Sequence, residues 1–423
     1  MQVFKFGGAS VNGVERIKNL SDILKEFPGE KILIVISAMG KTTNALEKVV
    51  NAFYEGKKDE SLTLFENVKQ QHAKIWEELM QLSHSPFTTH HSLTDFFTEA
   101  EWLLHDKPQR GYDYYYDQIV CIGELLSTTI ISNYLNEAGI KNQWVDVRDI
   151  IRTDDNFRDA NIDWSFTNSK AQGSILPLFE KNNIIITQGF IGSTDENEST
   201  TLGREGSDYT AAVFANLLDA ESLTIWKDVE SVMNADPKQF PDAQAIAELN
   251  YNEVIEMAYY GAQVIHSKTI KPLQNKNIPL YVKCFLDPSK PGTVIHNKPL
   301  HNHLPPIIVL KEKQVMIEMI SKDFSFVGEH HVATLYETFG KLKIKPNLTQ
   351  NAAISFTCVM DDKTEKNEKL AFGVSEIFDV QVKKDLTLLT IRHYDKDIVD
   401  KLTQGKTILL RQQTTDTIQM LMQ

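Results

Sequence analysis

The run KILIVIS (31–37) sets five aliphatic residues in a row, Ile32 to Ile36, with no polar residue between them. Successive side chains of a strand point to opposite faces, so such a run needs a sheet covered on both sides. NIIITQGFIG (183–192), SLTIWKDV (222–229) and IPLYVKCF (278–285) repeat the texture, with longer amphipathic stretches between them. That alternation predicts the α/β class, a mainly parallel sheet sandwiched by helices. Between residues 44 and 138 the period becomes helical. NALEKVVNAFYEG (44–56), LFENVKQQHAKIWEELMQL (64–82) and SLTDFFTEAEWLLHD (92–106) carry apolar residues at i, i+3, i+4 and i+7. A helical insertion therefore follows the second strand.

Near 286–306 the texture shifts to DPSKPGTVIHNKPLHNHLPP, which reads as a closing hairpin and a linker. Beyond it, IIVLKEKQVMIEMI, HVATLYETFGKL and AAISFTCVMD give strand, helix, strand. KKDLTLLTIRHY, KDIVDKLTQG, KTILLRQQ and DTIQMLMQ then give strand, helix, strand, strand. These are two small α+β units in tandem, the second abbreviated, with the polar run DDKTEKNEK (361–369) between them as an exposed hairpin or linker. A length of 423 residues suits two to four domains. The net charge of −13 argues against nucleic acid and anionic membranes as partners, since both need a basic face. Cys121, Cys284 and Cys358 are too few and too scattered for a disulfide framework or a zinc site. No stretch reaches the ~18 apolar residues of a membrane span, and no basic-then-apolar leader opens the chain. The expected location is the cytoplasm.

KFGGAS (5–10) follows the first strand-like run and fits neither a Walker loop nor G-x-G-x-x-G. Gly7 and Gly8 let backbone approach a ligand and offer N–H groups to an anion. Lys5 adds a compact positive charge at a strand end, where ligands of open α/β sheets bind. Ser10 offers a hydroxyl to a ligand or caps the next helix. A tight turn beside a surface lysine explains the stretch equally well. In TTLGREGSDYTA (200–211), Arg204 presents a planar fork suited to a carboxylate, and Ser207 and Asp208 sit where a helix begins. WKDVESVMNADPKQ (226–239) brings out Lys227 and Asp228 at a strand end and then turns at its proline. EMAYYGAQVIHSKT (256–269) reads as a helix, a glycine break and a new segment.

Taken in order, KFGGAS (5–10), SAMGKTTN (37–44), GELLST (123–128), QGFIGS (188–193), TLGREGSDYT (201–210), WKDV (226–229) and ADPK (235–238) resemble the motifs of the aspartate kinases (aspartokinases). The resemblance covers 1–296 and continues into the tail, where tandem ACT domains follow in that family. It implies an amino-acid kinase catalytic domain over 1–298 and ACT-like regulatory and dimerisation domains over 305–423. It also implies transfer of the γ-phosphoryl of Mg-ATP to the side-chain carboxylate of L-aspartate, giving 4-phospho-L-aspartate, the first step to lysine, threonine and methionine. Carried onto this chain, Lys5, Asp208 and Arg204 would be catalytic. Thr43, Glu124, Phe190, Thr201, Arg204 and Ser207 would bind aspartate, with Arg204 on its α-carboxylate and Glu124 on its ammonium. Lys5, Gly7, Gly8, Ser10, Lys227, Asp228, Asp236, Lys238 and Gln263 would face the nucleotide. Magnesium would be held mainly by phosphates and water, with no dedicated protein metal site. The ACT-like region would pair two copies into a homodimer.

Four positions depart from the family pattern: Ala9 replaces a threonine, Glu205 a glycine, Lys227 a threonine and Gln263 a lysine. They leave open a non-catalytic or weakened regulatory paralogue, or a same-fold kinase for another amino-acid carboxylate. In the tail, Asn347 of IKPNLTQNAAIS (344–355) stands where effector-binding members carry an aspartate, so inhibition by lysine or threonine is expected to be absent or weak. HNH (301–303), His90–His91 and His330–His331 lack a spaced partner for a metal. The tyrosine run GYDYYYDQIV (111–120) is expected to pack the insertion onto the sheet, and STDENESTT (193–201) to form a mobile flap.

Overall fold

Ile32–Ile36 is a strand with all five residues buried in the computed structural model, which describes residues 1–80, 93–262, 265–300 and 303–423. In chain order the strands of three or more residues in the first unit are β1 (Gln2–Phe6), β2 (Ile32–Ile36), β3 (Asn142–Trp144), β4 (Ile184–Gln188), β5 (Ile191–Ser193), β6 (Ser199–Thr201), β7 (Ser222–Lys227), β8 (Glu248–Asn250), β9 (Leu280–Cys284) and β10 (Thr293–His296). β5 and β6 form an antiparallel ribbon of their own, and the other eight share a sheet ordered β8-β10-β9-β7-β1-β2-β4-β3. Every junction is parallel except the β9–β10 hairpin. Burying an aliphatic side chain contributes ~1.5–3 kcal/mol, so the five buried side chains of β2 contribute strongly to the core of the sheet. Because the strands run parallel, their carboxyl ends share one edge. Lys5, Ser37, Gly189 and Lys227 all lie there.

The helices of this unit are α1 (Val14–Lys25), α2 (Thr42–Tyr54), α3 (Lys58–Met80), α4 (Leu93–His105), α5 (Tyr112–Val120), α6 (Ile122–Glu137), α7 (Trp164–Lys170), α8 (Gly206–Leu217), the start of α9 (Tyr251–Tyr260) and α10 (Ser267–Lys276). The insertion expected after β2 is α2–α6. Its last helix packs on β2, β3 and β4 and has twelve buried residues, so it carries no amphipathic stripe. α8 packs on β1, β2 and β7. Trp226 stacks on Phe6 with ring planes 3° apart, just beneath the strand ends that lead into the site. Among the described residues no helix is long and apolar enough to cross a membrane.

The chain divides into residues 1–232, 245–255 and 263–301, and a second unit of 233–244, 256–262 and 302–423. A single cut between 298 and 305 misses two segments that group with the tail. Ala235 enters a core with Ile308, Leu389, Ile391, Ile418 and Met420, and the Asn234 side chain donates to the Pro306 carbonyl. The second unit contains β11 (Ile307–Ser321), α11 (Glu329–Lys341), β12 (Leu348–Asn351), β13 (Ser355–Asp361), α12 (Thr364–Val374), β14 (Phe378–Arg392), α13 (Lys396–Thr403), β15 (Ile408–Gln413) and β16 (Thr417–Met422). Its two small α+β halves share one antiparallel sheet, ordered β12-β13-β11-β14-β16-β15, in which β11 and β14 run 15 residues each through both halves. The second half has a single helix of 8 residues.

Two local expectations are corrected. DDKTEKNEK is not a linker, because from Thr364 it is the first turns of α12, whose Leu370 and Val374 join the core of Ile317, Phe339 and Phe356. A polar stretch becomes helix when its next turns carry the apolar face. STDENESTT is not a flap either: β5 and β6 pair across it, and Thr200 and Thr201 are fully buried. Gln118 holds it from both sides, accepting from the Ser199 N–H at 3.0 Å and donating to the Ser199 carbonyl at 2.7 Å. The tyrosine run is α5, where Tyr115 packs edge-on against Phe53 at 5.1 Å. His90, His91 and His301 lie outside the described residues.

Candidate active site

Lys5 occupies the fourth position of β1, and its Nζ meets Asp208 Oδ1 of α8 at 2.6 Å. Both side chains are nearly buried, at 11% and 5% exposure. Burial pushes the Asp208 carboxyl up, but the positive charges of Lys5 and Lys227 prevail and hold it below its ordinary value. Gly7 leaves Lys5 Nζ uncovered, since a Cβ there would lie 3.3 Å from it. Gly8 is required for packing: a Cβ would sit 2.6 Å from the Ala38 carbonyl oxygen, and the Gly8 carbonyl accepts from the Gly40 N–H at 2.9 Å. The loop after β1 and the loop after β2 are thus pressed together at the strand ends.

Glu124, in the first turn of α6, lines the same cleft. It is 2% exposed; Oε1 accepts from the Ala38 N–H at 3.2 Å, and Oε2 has no hydrogen-bond partner among the described residues. Burial pushes its pKa up to about 8, against the pull of the Ala38 N–H. A buried carboxylate oxygen without a donor costs ~1–3 kcal/mol or more, and a ligand cation would relieve it. Arg204 is exposed and makes no ion pair among the described residues.

The loop that carries Arg204 is held by unusual backbone. Gly203 adopts φ +75° with Asp159 packed where its side chain would be. Glu205 is left-handed at φ 55°, a conformation that glycine takes without strain. Its carboxylate accepts from the His266 N–H at 2.9 Å, at the cap of α10. Phe190 is also left-handed, at φ 73°, and this breaks the NIIITQGFIG run into β4 and β5. Thr210 Oγ1 accepts from its N–H at 3.0 Å and its carbonyl accepts from the Leu202 N–H at 2.8 Å. Gly189 lets the start of α8 come close, since a Cβ would meet that of Ser207 at 2.6 Å.

Together these residues line a cleft of about 460 Å³. Of the residues expected from the sequence, Lys5, Gly8, Thr43, Glu124, Phe190, Thr201, Arg204, Ser207 and Asp208 meet there. Gly7 borders it through Lys5. Ser10 does not join them, because its hydroxyl donates to the Trp226 carbonyl at 3.2 Å. Lys227 is half-buried at the end of β7 and acts on Asp208 by charge, while Asp228 is exposed. Asp236 and Lys238 belong to the second unit, where the Asp236 side chain closes a turn by accepting from the Lys238 N–H at 3.0 Å. Gln263 lies outside the described residues.

Three participants were not read from the sequence. Tyr116 and Arg158 line the cleft, and Asp117 stands behind it, fully buried. Asp117 accepts from Thr201 Oγ1 at 2.7 Å, the Thr201 N–H at 2.8 Å and the Arg158 N–H at 3.0 Å. Its burial, offset by those donors, brings its pKa up to about 7. The Thr201 hydroxyl is therefore committed to Asp117, so that Thr201 shapes the wall of the cleft. The only signal in the sequence was a pair of aspartates, Asp113 and Asp117, inside a tyrosine-rich helix.

The family described as the amino acid kinase family matches residues 1–284. The chain is 30% identical to the chloroplastic aspartokinase 2 of Arabidopsis thaliana over 416 residues, covering 96% of this chain and 73% of that protein. It is 30% identical over 399 residues to the lysine-sensitive aspartokinase 3 of Escherichia coli K12, covering 92% and 86%. Among solved structures, E. coli aspartokinase III in complex with aspartate and ADP is similar at a TM-score of 0.83 and 26% identity, over 100% of this chain and 96% of that one. The aspartate kinase of Clostridium acetobutylicum, 20% identical, shares the fold at a TM-score of 0.78 over 100% of this chain and 96% of its own.

Proposed function

The chain belongs to the amino acid kinase family and, within it, to the aspartokinases; from that premise we propose that it transfers the γ-phosphoryl of ATP to the side-chain carboxylate of L-aspartate, giving 4-phospho-L-aspartate. The observation that carries the reading is the buried Oε2 of Glu124, which has no donor among the described residues and shares a cleft with the guanidinium of Arg204, unpaired among the same residues. An ammonium site facing a carboxylate site selects an amino acid.

The chemistry follows from charge and position. A carboxylate nucleophile is already ionised near neutral pH, so no general base is needed, and phosphoryl transfer asks mainly for alignment and neutralisation. Lys5 sits at the strand-end mouth of the cleft, where it neutralises charge on the phosphoryl group as it passes to the attacking carboxylate. Asp208 orients that ammonium through the 2.6 Å ion pair. Arg204 takes the α-carboxylate and Glu124 the α-ammonium, with Thr43, Phe190, Thr201 and Ser207 forming the walls. Gly7 and Gly8 with Lys5 suit nucleotide phosphates, because the glycine beside the ammonium leaves it open to an anion. Lys227 adds a second positive charge near Asp208. Magnesium, carried in with the nucleotide by phosphate oxygens and water, supplies further neutralisation. Ser10 is a structural contact to β7 in this reading, and Asp228, Asp236, Lys238 and Gln263 remain candidates for the nucleotide side. The amino-acid kinase domain (1–298, apart from the segments 233–244 and 256–262 that group with the tail) works with an ACT-like tail (305–423) that joins two copies in the cytoplasm.

Incubation with Mg-ATP, L-aspartate and hydroxylamine tests the reaction. Aspartyl hydroxamate forms with the wild type and is lost in Lys5→Ala. Retention of wild-type hydroxamate yield by Lys5→Ala would remove Lys5 from the mechanism, and no hydroxamate from the wild type would overturn the assignment of substrate.

A further inference from the structure

Arg158 is held in the left-handed region at φ 70°, where an arginine gains nothing from its own backbone preference. Non-glycine residues stay in that region when their surroundings fix them, and such positions cluster at functional sites. Here the fixing is explicit. Asp117, buried behind the cleft, accepts the Arg158 N–H at 3.0 Å with the same carboxylate that holds Thr201. The Ala160 N–H donates to the Thr201 carbonyl at 3.0 Å, and Gly203 leaves room for the Arg158 carbonyl, which a Cβ there would approach to 3.2 Å. The loop of Arg158 and the loop of Arg204 are therefore clasped along one wall, and both arginines line the same cleft.

The guanidinium of Arg158 lies over the Tyr116 ring at 4.3 Å, and burial raises the Tyr116 phenol to about 12, so the ring stays neutral. Its carboxylate partners are Asp113 at 3.2 Å and Glu47 at 3.6 Å. Arg158 and Glu47 are each about 40% exposed and Asp113 is 61% exposed, so these are surface pairs of the weak kind, readily exchanged for a better-placed carboxylate. A guanidinium stacked on an aromatic face keeps its edge N–H groups free to form such a fork.

We propose that Arg158 is a second substrate-binding arginine: it leaves Asp113 and Glu47 to clamp, together with Arg204, the non-reacting α-carboxylate of the amino acid. This rests on the aspartokinase reading of the cleft. The test compares wild type with Arg158→Gly, which keeps the left-handed backbone, and with Arg158→Lys, which keeps the charge without the fork. In Arg158→Gly the KM for L-aspartate rises about tenfold, the size expected for one partly exposed charged contact, and the KM for ATP is unchanged. Arg158→Lys falls between. With the α-amide of L-aspartate as substrate, the wild type and Arg158→Gly become equal, since the contact has no carboxylate to make. An unchanged KM for aspartate, or equal losses with aspartate and its α-amide, would overturn the clamp and leave Arg158 as a loop residue. Wild-type hydroxamate formation reports on the underlying reading separately. If that fails, calorimetric binding of L-aspartate to wild type and Arg158→Gly still decides: a weaker variant supports the clamp, and equal affinity or no binding by either overturns it.

Discussion

Glu124 makes the affinity for an amino acid depend on pH in a way that can be worked out. Burial lifts its pKa from the ordinary 4.5 to about 8, a rise of roughly 8 − 4.5 = 3.5 units at ~1.36 kcal/mol each, or on the order of 5 kcal/mol as an upper bound. At about pH 7 the free protein therefore carries this carboxyl protonated in ~90% of molecules, while an ammonium ligand needs it ionised. Apparent affinity for L-aspartate scales with the ionised fraction. It strengthens roughly fiftyfold between about pH 6 and 8 and levels off above. Binding near pH 7 also expels ~0.9 proton, which calorimetry in two buffers of different ionisation enthalpy measures directly. Glu124→Gln binds more weakly, releases no proton and has a flat profile over this range. Asp117, with a pKa also near 7, does not touch the ligand in this scheme, so Asp117→Asn should keep the proton release. A wild-type Kd equal at pH 6 and 8, with no proton expelled, would refute the argument. The same shift acts on stability with a definite sign. The folded state holds the proton more tightly than the unfolded chain, so the contribution is complete below about pH 4.5 and is lost as pH rises through 8. Glu124→Gln should thus gain in Tm relative to wild type on going from pH 5 to 8.

Asp208→Asn leaves Lys5 as an uncompensated buried charge, which should cost ~3–5 kcal/mol in urea unfolding and lower the hydroxamate rate at least ~100-fold; a stability loss under 1 kcal/mol would show that the pair is not buried as described. At the left-handed Glu205, relief of strain in Glu205→Gly offsets the lost contact with His266, so its Tm stays near wild type. Glu205→Ala loses the contact and keeps the strain, so it falls by ~1–2 kcal/mol; equal stability of the two variants would contradict this. Lysine or threonine at millimolar concentration should leave the rate unchanged. Asn347 already accepts from Lys311 Nζ at 2.7 Å and donates to Gln314 and Asp361, so its amide is occupied from within. Inhibition to half the rate by 1 mM lysine would rule that out.

What the sequence made legible is what lies close together along the chain. KILIVIS and its counterparts imply a covered parallel sheet because strand periodicity is a local property, and KFGGAS sits where a strand ends and its ligands gather. Lys5 and Asp208 are 203 residues apart, yet each could be read from its own motif as a strand end and a helix start. The missed features depend on chain crossings. DDKTEKNEK has too few apolar residues to announce a helix, and only Leu370 and Val374, beyond its end, commit it to the core. STDENESTT looks like a flap until Gln118, about 80 residues away, pins it.

Arg158 is the sharpest case. DDNFRDAN carries ordinary turn residues, with the Asp154 side chain accepting from the Asn161 N–H at 2.8 Å, and a turn is all that local reasoning sees there. What places Arg158 at the cleft is a positive φ fixed by Asp117, itself hidden within a helix of tyrosines. Asp117 commits two walls of the cleft at once, through Thr201 and Arg158, and so links the ribbon that shapes the pocket to the loop that supplies a charge. If that link is physical, Asp117→Asn should weaken the aspartate contact of Arg158 without removing either side chain. Combined with Arg158→Gly it should add little further loss, because residues acting through one another are not additive.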